Sequence, residues 1–360
     1  MSPLPAPPPW TGPLPEATPP PGLTVYQLPT GTYDTRAAFA VRGGSFFDKR
    51  HFAATAILVA HPKGDLLIDA GFGAGVAAHI AMLPRFMRAP YRTMETVSGH
   101  LDAAGYDRSR LLGVLVTHSH WDHVSGLDQL QVPIWINAGE REYAAEDVDG
   151  KVFRSVSAGH EIHEYRFDGP SYLGFPSSHD VHGDGSVVIA LAGGHTTGSV
   201  VVFVTEPSGT RYAFIGDLTW QIDGITRRVE RPWLLSKLAD SDREQLRQGL
   251  LNAIALTGVM QVIPAHDRDA YDGIPRLPAR LTTAPTPGGT EQGTHRAGTL
   301  RNQPTPSPKN GAHKHAESLL AVAAFSGPRG APRIQHRALG RLGDHLAAAP
   351  SGAADAQRNR

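Results

Sequence analysis

The chain reads as an α/β domain of two sheets packed face to face with helices outside, and three observations carry that reading. Apolar residues make up 40% of the 360, enough for a sizeable buried core. Strand-like runs fall in two groups separated by helical patterns, and a late amphipathic helix is followed by one more strand, an order that suits stacked sheets. Cysteine is absent, so disulfides, thiolate metal sites and cysteine nucleophiles are all excluded.

Residues 1–22 carry Pro7-Pro8-Pro9 and Pro19-Pro20-Pro21. Proline fixes φ and removes a backbone donor, so a disordered, polyproline-type arm is expected there. The folded domain is expected over 23–281. Thr24 to Leu28 and Ala37 to Arg42 have short strand patterns, and Ala53 to His61 with Asp65 to Asp69 flank the turn Pro62-Lys63-Gly64 as a hairpin. Helical patterns follow at Gly75 to Met87 and Thr93 to Ala104, the second with Met94, Val97, Leu101 and Ala104 on one face. Leu111 to Thr117 is a continuous apolar run, the mark of a strand buried on both faces. A strand at Pro133 to Asn137, a helix from Ala138, and strands at Val187 to Ala192, Val200 to Thr205 and Arg211 to Ile215 come next. Ser241 and Asp242 offer caps for a helix over Arg243 to Thr257, and Val259 to Ile263 closes the core as a strand. Beyond Leu281 the periodicity ends, and 282–360 is expected to be a low-complexity, mostly disordered tail.

The 34 basic and 34 acidic residues cancel over the whole chain. Arg276 to Arg360, however, holds 12 Lys and Arg against 4 Asp and Glu, so the remainder is acidic by 8 charges. An acidic body repels a polyanion, which disfavours nucleic acid as a partner. The first 30 residues show no basic start and no apolar run of signal-peptide length, and no segment suits a membrane span, so a cytoplasmic protein is expected. Arg outnumbers Lys 28 to 6, a bias of GC-rich bacterial genomes.

The chemistry concentrates in Thr117-His118-Ser119-His120-Trp121-Asp122-His123, directly after the buried apolar run. Neutral imidazole and anionic carboxylate together suit a divalent ion such as zinc. A histidine-rich surface would also explain that segment taken alone. Three further groups decide against it: Gly194-His195-Thr196-Thr197-Gly198, Ile215-Gly216-Asp217, and Pro264-Ala265-His266-Asp267, each after an apolar strand or at a glycine-flanked turn.

Spacing and context resemble the metallo-β-lactamase superfamily, whose HxHxDH motif is complete as His118, His120, Asp122 and His123. The resemblance spans Leu23 to about Asp267 and implies a four-layer αββα sandwich of two mixed sheets. It implies two divalent metal ions, zinc being the expected pair, with His118, His120 and His195 on one, Asp122, His123 and His266 on the other, and Asp217 bridging. Two such ions acidify a shared water and stabilise an oxyanion, while Asp122 orients that water and passes a proton to the leaving group. Asp69, ending the opening hairpin, is expected to buttress a ligand or cap a turn. Trp121 and Trp220 are expected to wall the substrate pocket. His179 and His182 read as solvated turn residues.

The resemblance further points to a hydrolase of a small-molecule ester, lactone or related bond. Only 48 residues separate Asp217 from His266, too few for the inserted domain of the nucleic-acid-cleaving members. Secreted zinc β-lactamases use a cysteine ligand, and glyoxalase II adds a folded C-terminal helical region; neither matches. The lactonase and esterase branch is most similar, including Gly183-Asp184-Gly185-Ser186 before the His195 turn. Its lactonases carry a tyrosine three residues after the bridging aspartate, where this chain has Trp220, which leaves thioesters, aryl esters and phosphotriesters open as substrates. A non-catalytic, ligand-sensing protein is the competing reading, and the complete ligand set favours the enzyme.

Overall fold

Neighbouring residues of a strand point to opposite faces, and in this chain both faces are apolar over most strands. Val25, Ile57, Val59, Leu66, Ile68 and Leu115 share one buried cluster, whereas Leu28, Ala56, Leu58, Leu67, Val114 and Val116 share another. A sheet patterned this way must be covered on both sides.

The computed structural model describes residues 3–277; the tail expected over 282–360 lies outside the described residues. The first sheet comprises β1 (Thr24–Arg36), β2 (Lys49–Ala60), β3 (Asp65–Ile68), β4 (Tyr91–Thr93), β5 (Leu111–Leu115), β6 (Ile134–Asn137) and β7 (Ile162–Tyr165), in the order β4-β1-β2-β3-β5-β6-β7. The second comprises β8 (Ser178–Asp180), β9 (Val187–Leu191), β10 (Val200–Thr205), β11 (Arg211–Phe214) and β12 (Gln261–Ile263), in the order β12-β11-β10-β9-β8. Both are mixed: β3, β5, β6 and β7 run parallel, as do β11 and β12, and the other pairings are antiparallel. Connections within the first sheet carry α1 (Ala37–Ala40), α2 (Val76–Met82), α3 (Val97–Ala103), α4 (Trp121–Val124), α5 (Ala138–Glu146) and α6 (Lys151–Val156), and α7 (Asp223–Thr226), α8 (Trp233–Ala239) and α9 (Arg243–Leu256) follow β11.

The inner faces meet through Ile57, Val59, Leu66 and Leu115 of the first sheet and Val187, Ile189, Val202 and Phe214 of the second. The outer face of the first sheet is covered by Val97 and Leu101 of α3 and Val152 and Phe153 of α6, and that of the second by Leu246, Leu250, Ala253 and Leu256 of α9. The architecture is therefore the expected αββα sandwich. Each such fully buried Val, Leu, Ile or Phe side chain contributes about 1.5–3 kcal/mol through removal from water. Asp242 caps α9 as expected, accepting from the amides of Glu244 and Gln245 at 2.9 and 3.0 Å. No helix among the described residues is long and apolar enough to cross a membrane.

Three local expectations are corrected. Ala37 to Arg42 is not a strand: β1 runs unbroken through Arg36, and Ala37–Ala40 forms a helical turn before β2. The pattern from Gly75 to Met87 breaks at Leu83, because Pro84 disfavours the α region in the residue before it. The arm is extended but not disordered over its described residues. Leu4, Trp10 and Leu14 pack on the α9 side of the second sheet, and the amides of Leu4, Trp10 and Thr18 donate to Arg228, Ala255 and Asp184 carbonyls at 2.7, 2.9 and 2.8 Å. Its prolines lower the entropy lost on docking, so a few apolar anchors suffice to hold it.

Candidate metal centre

Four loops that follow strands supply the site. The first leaves β5, and its Thr117 carbonyl accepts from the Val200 amide of the second sheet at 3.0 Å, which ties His118 to both sheets. The second joins β9 to β10 through Gly193 and Gly194, whose φ values are +61° and +86°. A Cβ on Gly194 would lie 2.3 Å from the Leu246 backbone nitrogen, so glycine there lets the start of α9 approach the His195 turn. Asp217 follows β11, and His266 follows β12.

All seven sequence-predicted residues come together, in two groups: His118, His120, His195 and Asp217, and Asp122, His123 and His266. His120 is half-buried, and the others are buried. Asp217 stands between the groups. Its Oδ2 lies 3.3 Å from His195 Nε2 and 3.7 Å from His118 Nε2, while its Oδ1 lies 3.1 Å from His266 Nε2 and 3.5 Å from His123 Nε2. Asp122 Oδ2 is 3.4 Å from His266 Nε2. Ring nitrogens face one another, His195 Nε2 and His120 Nδ1 at 3.0 Å and His123 Nε2 and His266 Nε2 at 3.3 Å.

The outward nitrogens are anchored by the fold. Asp69 Oδ2 lies 2.7 Å from His123 Nδ1, and Asp240 Oδ1 lies 2.9 Å from His195 Nδ1. The Ala53 carbonyl is 2.8 Å from His266 Nδ1, and Tyr143 Oη is 3.1 Å from His120 Nε2. Asp69 has a φ of +59°, an uncommon conformation for a residue with a Cβ. Its carboxylate holds it there by accepting also from the Thr117 amide and hydroxyl at 2.7 and 2.9 Å. Asp69 thus joins the His123 ring to the backbone and side chain of Thr117.

Sequence reasoning passed over several contributors. Glu140, buried at the start of α5, accepts from Ser119 N and Oγ, each at 2.6 Å, and from the Thr196 hydroxyl, so one carboxylate links the HxH loop to the His195 turn. Buried Arg231 pairs with Asp240 and donates to the Asp217 carbonyl. The traceable signal for Glu140 was its position three residues after Asn137, which caps α5. Arg231 and Asp240 had none. His182 was expected to be solvated but is half-buried and stacks on buried His61 with ring centroids 3.7 Å apart, because two flat apolar faces exclude water better together.

The donor set fits divalent cations. His118 Nε2 and Asp217 Oδ1 are buried without a hydrogen-bond partner among the described residues, one facing each group, a costly state unless a cation satisfies each of them. Burial and neighbouring imidazoles hold His118 and His120 well below the usual imidazole range, which leaves lone pairs free to coordinate. In the other group burial opposes charge, yet Asp69 and Asp217 raise His123 well above its ordinary value, and Asp217 and Asp122 raise His266. Burial opposes the Asp217 anion as well, but His266 and His123 hold it well below the ordinary carboxylate range.

Above the groups lies a cavity of about 110 Å³ walled by Tyr33, Trp121, Trp220, Leu83 and Met87, with His120, Asp122, His195 and Asp217 at its polar end. Trp121 and Trp220 both line this cavity. Trp220 Nε1 donates to Asp217 Oδ2 at 2.7 Å, and the Arg231 guanidinium sits 4.2 Å from its ring centre. A larger cavity of about 290 Å³, lined by Gln27, Thr55, Arg268 and Arg276 among others, includes none of the seven residues.

The chain is similar to a probable metallo-hydrolase of Mycobacterium tuberculosis, 26% identical over 284 residues, 72% of this chain and 85% of that protein. It is 23% identical over 240 residues to an N-acyl homoserine lactonase of Azorhizobium caulinodans, covering 61% of this chain and 84% of the relative. In fold it is similar to an N-acyl homoserine lactone hydrolase solved with its product N-hexanoyl-L-homoserine at the catalytic metal centre, with a TM-score of 0.56 at 16% identity over 71% of this chain and 97% of that one. The family model for the metallo-beta-lactamase superfamily matches residues 50–289. The chain belongs to the metallo-β-lactamase superfamily, as a hydrolase.

Proposed function

We propose that the chain hydrolyses a small ester, lactone or related bond at a centre of two divalent ions, zinc in the first instance. The convergence of seven histidine and aspartate side chains beneath one aromatic-walled cavity carries this reading. His118, His120 and His195 would hold one ion and Asp122, His123 and His266 the other. Asp217, with one carboxylate oxygen toward each group, would bridge them. Two such cations supply acidity to a water and positive charge for a developing oxyanion.

The protein's own groups do the rest. Asp122 orients the attacking water, takes its proton at the carboxylate and hands it to the leaving oxygen. Asp69, Asp240 and the Ala53 carbonyl fix the ring orientation and tautomer of His123, His195 and His266. Trp121 and Trp220 exclude solvent and give the substrate an apolar wall.

Lactonase relatives support a lactone as one candidate substrate. The cavity argues for a compact or flat one: the Trp220 indole occupies the wall, and its N–H is engaged by Asp217 rather than free for substrate. The test is a hydrolysis panel of lactones, thioesters, aryl esters and phosphotriesters on metal-loaded protein. We expect turnover, aryl esters and short lactones leading long-chain acyl lactones; a protein that binds two ions and turns over nothing would be a binding protein that keeps the fold.

A further inference from the structure

We infer that Trp220 is the positioning residue of the bridging carboxylate: its indole N–H holds Asp217 so that one oxygen faces each metal group. The inference rests on the two-ion reading above. A bridge must keep its two oxygens divided between the groups, yet the last torsion of an aspartate is broad and nothing within the Asp217 side chain fixes it. The histidines do not fix it either. Four of them turn Nε2 toward Asp217 at 3.1 to 3.7 Å, but a nitrogen that gives its lone pair to a cation has no proton left for a carboxylate. Outside the two groups, Trp220 Nε1, 2.7 Å from Oδ2, is the one side-chain donor that reaches the carboxylate among the described residues. An oxygen carries two lone pairs, so Oδ2 accepts this N–H and still faces the group of His118, His120 and His195.

Trp220 is itself held from several sides. Its main-chain carbonyl accepts from the His266 amide at 3.1 Å, its ring centre lies 5.7 Å from that of Phe52, and the Arg231 guanidinium sits 4.2 Å from its ring centre. Buried Arg231 also donates to the Asp217 main-chain carbonyl and pairs with Asp240. One cation therefore steadies both ends of the hydrogen bond, the indole through its face and Asp217 through its backbone. The two Asp217 oxygens turn together, so losing the N–H loosens both ions at once. That separates Trp220 from Asp69 and Asp240, each of which touches a histidine of one group only.

Two substitutions divide the indole into its parts. Trp220→Phe keeps a ring beside Arg231 and removes the N–H, whereas Trp220→Gln supplies an amide N–H and removes the ring. Zinc affinities are read by competition with a chelator, and the metal-free proteins are melted as the control on folding. We expect Trp220→Phe to weaken both ions by about 10–100-fold, the scale of a lost hydrogen bond to a metal ligand. Trp220→Gln should recover most of that affinity, although its metal-free form melts below that of Trp220→Phe through loss of the packed ring. A purely structural role predicts the reverse order, with affinity following melting temperature. That reverse order, wild-type affinity in Trp220→Phe, or weakening confined to one ion overturns the role of Trp220 and leaves the two-ion reading standing. Wild-type protein that holds fewer than two zinc ions removes both.

Discussion

The two metal-binding groups sit side by side but differ in how the protein prepares them. His118 and His120 are kept unprotonated by burial and by neighbouring imidazoles, so these two rings offer free lone pairs as folded. His123 and His266 face more carboxylate, from Asp69, Asp122 and Asp217, and keep their protons to a higher pH than an ordinary imidazole. An ion entering the second group must displace those protons, and the carboxylates that favour them also favour the ion. The two groups thus differ in how strongly protons compete with a cation for their imidazoles, and Asp217 is shared between them.

The largest expected effect lies in the second group. Asp122→Ala should lower kcat by about three orders of magnitude, the scale of a lost general acid–base, while one equivalent of metal stays on His118, His120 and His195. Near-normal turnover, or complete loss of metal, would break the division of labour between the groups. A cross-over of outer partners sharpens it: Asp69→Asn should weaken the second ion and Asp240→Asn the first, each by about 10–100-fold, measured by competition with a chelator. Equal weakening of both ions by both variants would mean that the groups do not bind independently.

The same comparison fixes a pH dependence. His123 and His266 are raised above the ordinary imidazole value of about 6.5, so protons compete for the second group from above that pH downward. His118 and His120 accept protons only well below it. Metal content followed by elemental analysis should therefore fall from two equivalents to one as pH drops through this window, with the last ion released only in stronger acid. Simultaneous release would contradict the asymmetry. The smallest effect belongs to the arm, far from this chemistry in sequence: Trp10→Ala should cost about 1–2 kcal/mol, a few degrees of melting temperature, and leave metal content alone.

Much of the centre was legible because its ligands sit in local patterns. His118, His120, Asp122 and His123 fall within six residues after an apolar strand, and His195, Asp217 and His266 each follow a strand end, so periodicity placed the elements and the resemblance to the superfamily implied which residues on them are the candidate ligands. Glu140, Asp240 and Tyr33 were not legible in that way. Glu140 has only its helix-start position after Asn137 and reaches Ser119 across 21 positions, and Asp240 reaches His195 across 45 with no motif at all. Tyr33 sits in a strand whose alternation reads the same whether its ring meets core or cavity. The arm was misjudged for a related reason: proline density predicts extension, but Leu4, Trp10 and Leu14 decide whether an extended segment docks.

The central claim is two ions sharing Asp217, and anomalous diffraction from a zinc-loaded crystal tests it most directly. The account predicts two peaks roughly 3.5–4 Å apart, one beside His118, His120 and His195 and the other beside Asp122, His123 and His266, with one Asp217 oxygen toward each. A single peak at full zinc loading, or an Asp217 carboxylate turned away from either ion, would contradict it.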